Sequence, residues 1–397
     1  MATTAPRTRI DSIDLVRGLV MVIMALDHVR DYFHGPSQHF APEDLTRTNG
    51  WLFFTRWITH FCAPSFVFLA GTAAYLYARR GRTTSELSRF LWTRGLWLIL
   101  LELTIVRWFG WDLGIGVSDP GLAVIWALGA SMVVLAALVW LPWRIVLTLG
   151  VGIIVLHNTL DTIRPEQFGP VHWLWRLLHV RGRLLPGSEV GIRVGYPVLP
   201  WIGVMAAGYC FGRILELQLE HRRRMLVRLG AGLTAAFVVL RWSNLYGDPV
   251  PWMVQSSPAL TIASFLNCEK YPPSLLYLLM TLGPMLLVLA AFDRVRARAS
   301  NPLLVFGRVP LFYYLLHVPL LHVTAVAFAQ AQYGRSAFML VTPPSLRGPR
   351  PDFPTDYGYD LWVVYLVWIA IVVALYPVCR WYAGLKQRSK SPILSYL

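Results

Sequence analysis

The sequence predicts an all-α, polytopic integral membrane protein, a bundle of about ten transmembrane helices, and three observations carry that expectation. Of the 397 residues, 56% are hydrophobic and 14% charged, whereas soluble domains carry roughly a quarter charged residues. Such a chain cannot cover its apolar surface with water-facing groups. The apolar residues fall in separate blocks of about 17 to 25, each able to cross a hydrocarbon core of ~30 Å at about 1.5 Å per residue. Between them lie short arginine-bearing loops or longer Pro- and Gly-rich connections. In lipid a helix meets its own backbone hydrogen-bonding needs, so a bundle of spans is the architecture open to this chain.

The spans are expected near 12–33, 51–77, 91–110, 121–140, 144–160, 194–216, 226–242, 273–293, 303–329 and 359–383. The first block is interrupted by Asp14, Arg17, Asp27 and His28 and lacks a small-residue cleavage site, so it reads as a retained span rather than a signal peptide. The second holds His60 and the run from Ala63 to Thr72, where Gly71 and its small neighbours permit close approach of another helix. In the third, Glu102 sits deep in an apolar stretch and must be paired, with an arginine for instance, or protonated. The fifth is the shortest. In the ninth, Tyr313, Tyr314 and His317 lie within one turn and form a polar patch, and Pro319 is expected to loosen the helix beside it. With no internal repeat visible, residues 1–397 read as a single membrane-embedded domain.

Charge sets the topology. Arg79, Arg80, Arg82 and Arg89, then Arg222, Arg223, Arg224 and Arg228, then Arg294, Arg296 and Arg298 fall in the short loops of one side, and Lys386, Arg388 and Lys390 in the tail. By the positive-inside rule that side is cytoplasmic, and both termini with it. The net charge of +15 is explained by topology and anionic headgroups, so no nucleic-acid partner is implied and the bilayer is the expected one. Four scattered cysteines give neither a disulfide framework nor a CxxC site, and no metal is expected. Lysine occurs only at 270, 386 and 390 against many arginines, a bias that suggests a GC-rich bacterial genome and hence the bacterial cytoplasmic (inner) membrane.

Ionisable groups inside spans are costly and tend to mark function. The first span is densest in them: Asp14, Arg17, Asp27, His28, Arg30 and Asp31. Arg17 and His28 are eleven residues apart, almost three turns, so they share a helix face roughly 16 Å apart. Either they line one channel, or they are headgroup anchors at opposite ends of the helix. Histidine suits proton transfer, and Asp31, one turn beyond on the same face, or Asp27 could orient His28 as a general base.

These residues resemble a known family. The opening Arg9-Ile10-Asp11-Ser12-Ile13-Asp14-Leu15-Val16-Arg17-Gly18-Leu19 and the segment Pro64 to Gly71 resemble the first two spans of the membrane acyltransferase superfamily that includes the heparan-alpha-glucosaminide N-acetyltransferase catalytic domain. The related bacterial sugar O-acyltransferases carry an arginine, ten residues and a histidine in the first span, a spacing that Arg17 and His28 match. The resemblance implies transfer of an acetyl group from acetyl-CoA to a hydroxyl or amine of a sugar or glycolipid acceptor across the membrane. Carried over, His28 is the catalytic histidine and Arg17 helps hold the cofactor. Two departures stand out. Where the O-acyltransferases pair two arginines at the third span, Arg94 stands with Leu91; and the glucosaminide enzyme places its histidine after the first span, which leaves His34 and His39 as rivals.

The expected site therefore comprises His28 with Asp31 or Asp27 as the catalytic group, Arg17, Arg94 and Arg308 near acetyl-CoA, and His60, Tyr314 and His317 near the acceptor. A homodimer is compatible with this reading. The rival class is a transporter or flippase, in which the same buried charges form a substrate or proton path; such proteins often repeat paired, interrupted helices in two halves, and no such pairing is visible.

Overall fold

A computed structural model describes residues 10–116, 119–186 and 191–389; Arg9 and Lys390 lie outside this set. The chain is mostly helical. In order it forms α1 (Asp11–Phe33), α2 (Gly50–Thr59), α3 (Cys62–Ala78), α4 (Thr84–Leu101), α5 (Val124–Leu138), α6 (Trp143–Leu156), α7 (His172–Leu178), α8 (Leu199–Phe211), α9 (Leu219–Ser243), α10 (Pro258–Leu266), α11 (Leu275–Phe292), α12 (Pro302–Arg308), α13 (Pro310–Tyr333), α14 (Pro344–Arg347) and α15 (Leu361–Arg388). Each expected span falls mainly on helical residues, though not always on a single helix. Six of the described helical segments are both long and apolar enough to cross a bilayer: Gly50–Ala78, Trp143–Leu160, Leu219–Ser243, Leu275–Phe292, Pro310–Tyr333 and Leu361–Arg388. The others fall short for different reasons. Carboxylates and arginines interrupt α1, polar turns open α4, and α5 and α8 have only 15 and 13 residues.

Local chemistry sets the helix ends. Thr83 and Glu86 close a reciprocal capping box at α4; Asn49, Ser274 and Asn301 accept backbone N–H groups at the starts of α2, α11 and α12. The second expected span is divided at His60 and Phe61. The ninth is divided too, but not beside Pro319, which lies inside continuous α13; the break is at Val309 (φ −133°, ψ 48°), immediately before Pro310. The residue before a proline is pushed out of the helical region, and proline is well suited to start the next helix. Beyond Leu101 the third span continues as a π-helical stretch, Glu102–Trp111.

The all-α expectation needs one amendment. A small sheet in the loops joins β1 (Gly121–Leu122), β2 (Gly182–Arg183) and β3 (Arg193–Val194), with β3 central, parallel to β1 and antiparallel to β2. Two-residue strands are below the length at which alternation can be read from sequence.

Although α1 is the most charged of the expected spans, it is the central one, packed on α12, α13, α15, α11 and α3. Its polar groups find protein partners there that lipid could not supply. The α1–α12 contact is backbone to backbone: a Cβ on Gly18 would lie 1.8 Å from the Leu303 carbonyl oxygen, and one on Gly307 1.8 Å from that of Asp14. Gly71 serves α3 and α8 similarly, with the Met205 carbonyl 2.1 Å from where its Cβ would be, the close approach expected of this small-residue run. On the outside, α15 exposes Trp362, Leu366, Val373 and Trp381, a surface suited to acyl chains.

Candidate active site

Two cavities open on either side of the middle of α1. The first, about 520 Å³, is lined by His28 with Asp27, Arg30, Asp31, Glu43, Arg56, His60, Arg107 and Lys270. The second, about 860 Å³, is lined by Arg17, Arg79, Arg80, Arg94, Arg222, Arg308 and Lys386 around an apolar throat that includes Met21, Met24 and Leu128. Val124 and Tyr314 line both. One stripe of α1 thus serves both cavities, with Arg17 in one and His28 in the other.

His28 is held by an ordered hydrogen-bond chain. Its Nδ1 lies 2.7 Å from Nε2 of His317, whose own Nδ1 faces the backbone carbonyls of Tyr314 at 2.8 Å and Tyr313 at 3.1 Å. Carbonyl oxygens only accept, so Nδ1 of His317 carries its proton, and in the neutral ring Nε2 is an acceptor. Nδ1 of His28 is then the donor, which leaves the lone pair on its Nε2. Trp111 packs edge-on against the His28 ring at 4.9 Å, and Tyr314 does so at 6.4 Å.

The carboxylates expected to orient His28 have other partners. Asp27 accepts from Arg56 at 2.8 and 3.0 Å and from Thr59 at 2.8 Å, and pairs with Arg30 at 2.7 Å. Asp31 accepts from Nη2 of Arg30 at 2.5 Å. Buried carboxylates seek the nearest cation, and Arg30 and Arg56 are closer at hand than an imidazole. The orienting group on His28 is therefore His317, placed in the sequence reading beside the acceptor.

The remaining expected residues divide cleanly. Arg17, Arg94 and Arg308 all line the second cavity; Arg17 also reaches Asp14 and the Gly307 carbonyl, Arg308 pairs with Asp11 at 3.5 Å, and Arg94 lies over the Phe90 ring. His60 lines the first cavity, 3.7 Å from Glu43. Of the rival histidines, His34 is buried and hydrogen-bonded to Ser37, and burial pulls it down to about 4; His39 is exposed. Neither lines either cavity. Among the described residues Glu102 pairs with no arginine: its carboxylate accepts from the backbone N–H groups of Ile125 and Trp126 at 2.9 and 3.1 Å, a cap on the positive end of α5.

Sequence reasoning did not single out Arg56, Glu43, Arg107, Trp111 or Lys270. Arg56 carried a usable signal, an arginine inside an expected span; Glu43 and Lys270 come from loops and carried none. Burial pushes the Glu43 carboxyl up, but Arg56 and His60 together outweigh it and hold the group well below the usual carboxylate range. Burial likewise raises the Tyr271 phenol, and Lys270 and Arg56 outweigh that and lower it.

Comparison with curated proteins finds no match to this chain. The family model described as heparan-alpha-glucosaminide N-acetyltransferase, catalytic, matches residues 9–243, more than half of the sequence and the part that contains Arg17, His28, Arg56 and Arg94. The chain belongs to the heparan-alpha-glucosaminide N-acetyltransferase catalytic family.

Proposed function

We propose that this membrane transferase moves an acetyl group from cytoplasmic acetyl-CoA to a hydroxyl or amine of an extracytoplasmic sugar or glycolipid, through a bundle of about ten spans with both termini cytoplasmic. The observation that carries the reading is the meeting at Tyr314 of an arginine-rich cavity, in which Asp14 and Glu216 are the acidic groups, and a cavity of more evenly mixed charge, with the His28–His317 pair beside the junction. Coenzyme A bears several phosphates, and Arg17, Arg94 and Arg308 offer them charge-assisted hydrogen bonds. Its slender pantetheine arm suits the apolar throat toward Tyr314, where the thioester comes within reach of His28. The first cavity mixes carboxylates with arginines and a lysine, a lining that can hydrogen-bond a polyhydroxylated or amine-bearing acceptor.

His28 acts as the general base. Its Nε2 takes the proton of the acceptor O–H or N–H as that atom attacks the thioester carbonyl. The tetrahedral intermediate collapses by breaking the C–S bond, and the imidazolium returns the proton to the departing thiolate. His317 holds the productive tautomer and shares the transient charge. The acceptor never crosses lipid.

The test uses sealed vesicles of known orientation supplied with radiolabelled acetyl-CoA on one face only. Label on an α-glucosaminide in the opposite compartment supports the scheme. Transfer only when donor and acceptor share a compartment ends it.

A further inference from the structure

We propose that His157, Asp161 and His179 form a divalent transition-metal site of the zinc class, separate from the acyl-transfer cavities, which clamps the loop that lines the rim of the first cavity. One ring nitrogen from each histidine and one Asp161 oxygen all lie within 4.8 Å of one another. His157 follows α6 directly and is 2% exposed, yet neither of its ring nitrogens has a hydrogen-bond partner among the described residues. A buried imidazole without partners is costly, and here it is turned toward a second histidine, the two ring centroids being 5.8 Å apart. His179 is equally buried; its Nε2 lies 2.9 Å from Asp161 Oδ1, and its Nδ1 has no partner among the described residues.

Two imidazoles and a carboxylate are a donor set for zinc and its neighbours in the first transition row, not for magnesium or calcium. Donors bound at about 2.1 Å in a tetrahedral site stand ~3.4 Å apart. The His179–Asp161 pair, at 2.9 Å, is about 0.5 Å closer than that, and no two of the donors stand more than 4.8 Å apart, so small side-chain rotations bring all three to one ion. The carboxylate is also oriented as a ligand should be. Asn158 Nδ2 donates to Asp161 Oδ2 at 2.9 Å, while its Oδ1 accepts from the Leu275 backbone at 2.9 Å. Trp175 packs against the His179 ring at 5.1 Å.

The site ties the end of α6 to the end of α7, beside the hydrogen bond from Trp175 Nε1 to the Ile163 carbonyl at 3.0 Å. Two residues beyond His179, Arg181 places its guanidinium 4.7 Å over the Tyr271 ring, and both line the first cavity. Metal at His179 therefore anchors the strand that delivers Arg181.

To test this, the full chain is purified in detergent without an added histidine tag, stripped with a chelator, shown to be monodisperse and titrated with cobalt(II). One equivalent should bind with visible absorption bands, be displaced by zinc, and raise Tm. His157→Ala should weaken cobalt binding by more than about tenfold, and Asp161→Asn, which keeps a side chain of the same shape, should do the same should the histidine variant fail to fold. Absence of the bands in the monodisperse parent overturns the proposal, and so does an unchanged titration in either folded variant. None of these readouts depends on acetyl transfer, so the site stands or falls separately from the catalytic reading.

Discussion

Replacing His317 with alanine removes the acceptor for the His28 Nδ1–H without touching either cavity's charged lining. The hydrogen bond is 2.7 Å and its acceptor is fully buried, so no other side chain among the described residues stands ready to replace it. His28 is then free to carry its proton on either nitrogen, and the lone pair no longer stays on Nε2. General-base catalysis contributes about 10²- to 10⁴-fold, and loss of the tautomer-holding partner in a catalytic triad costs about 10⁴-fold. We therefore expect kcat to fall by about 10²- to 10⁴-fold, roughly 3 to 5 kcal/mol of transition-state stabilisation, with KM for acetyl-CoA nearly unchanged. The assay is transfer of radiolabel from acetyl-CoA to a soluble α-glucosaminide in reconstituted vesicles. His317→Gln should recover part of the loss, because its carboxamide oxygen can stand where Nε2 stands; a purely structural role predicts no such recovery. A folded His317→Ala protein whose kcat drops by less than about tenfold would refute the assignment of His317 as the positioning residue.

Four further outcomes follow from the same geometry. His28→Ala should abolish transfer while acetyl-CoA binding, read by isothermal titration, survives; a dead His34→Ala or His39→Ala beside an active His28→Ala would move the base to the loop. Arg94→Ala should raise KM for acetyl-CoA by roughly tenfold with little change in kcat, the loss of one charge-assisted contact. Glu43→Gln should cost about 2 kcal/mol at neutral pH, since it removes one of the two carboxylates that pair with the buried Arg56. Because the Glu43 carboxyl is held low, its contribution is full above the unfolded value near ~4.5 and fades as pH falls toward the folded one, so acid melting curves of parent and variant should converge. With all four native cysteines buried, single cysteines at Arg82 and Arg224 should resist an impermeant reagent in intact cells while one at Leu346 reacts; labelling at 224 would invert the topology.

Much of the architecture was legible because apolar block length is a strong signal in lipid and weak signals were not needed. The placement of Arg17 and His28 on one stripe followed from helical period alone, and the two cavities meet along it. Their partners were harder. A sequence gives neighbours on one helix, so Asp31 and Asp27 were the natural choice for orienting His28. Burial instead drew both to arginines, and His317 arrived from another helix altogether. The break at Val309 and the π-helical stretch after Leu101 are likewise products of packing, as is Glu102 facing α5. The His157, Asp161 and His179 set joins residues separated by a loop, at no recognised metal spacing, so only the fold brings them into view.

The position of α1 has a consequence for how the protein is made. Among the helices described, α1 is made before the others and is among the least suited to lipid, yet α12, α13 and α15, which pack against it, are made after the rest. The His28–His317 bond joins residues 289 apart, and Gly18 cannot meet Leu303 until the chain has been made as far as α12. Before those helices are made, the carboxylates of α1 have its own Arg17 and Arg30 and, from α2, Arg56 as partners. The packing around α1 is therefore completed only when these later helices are in place. An incomplete chain has no oriented histidine, so the membrane meets a working active site only when the whole bundle has closed around its first helix.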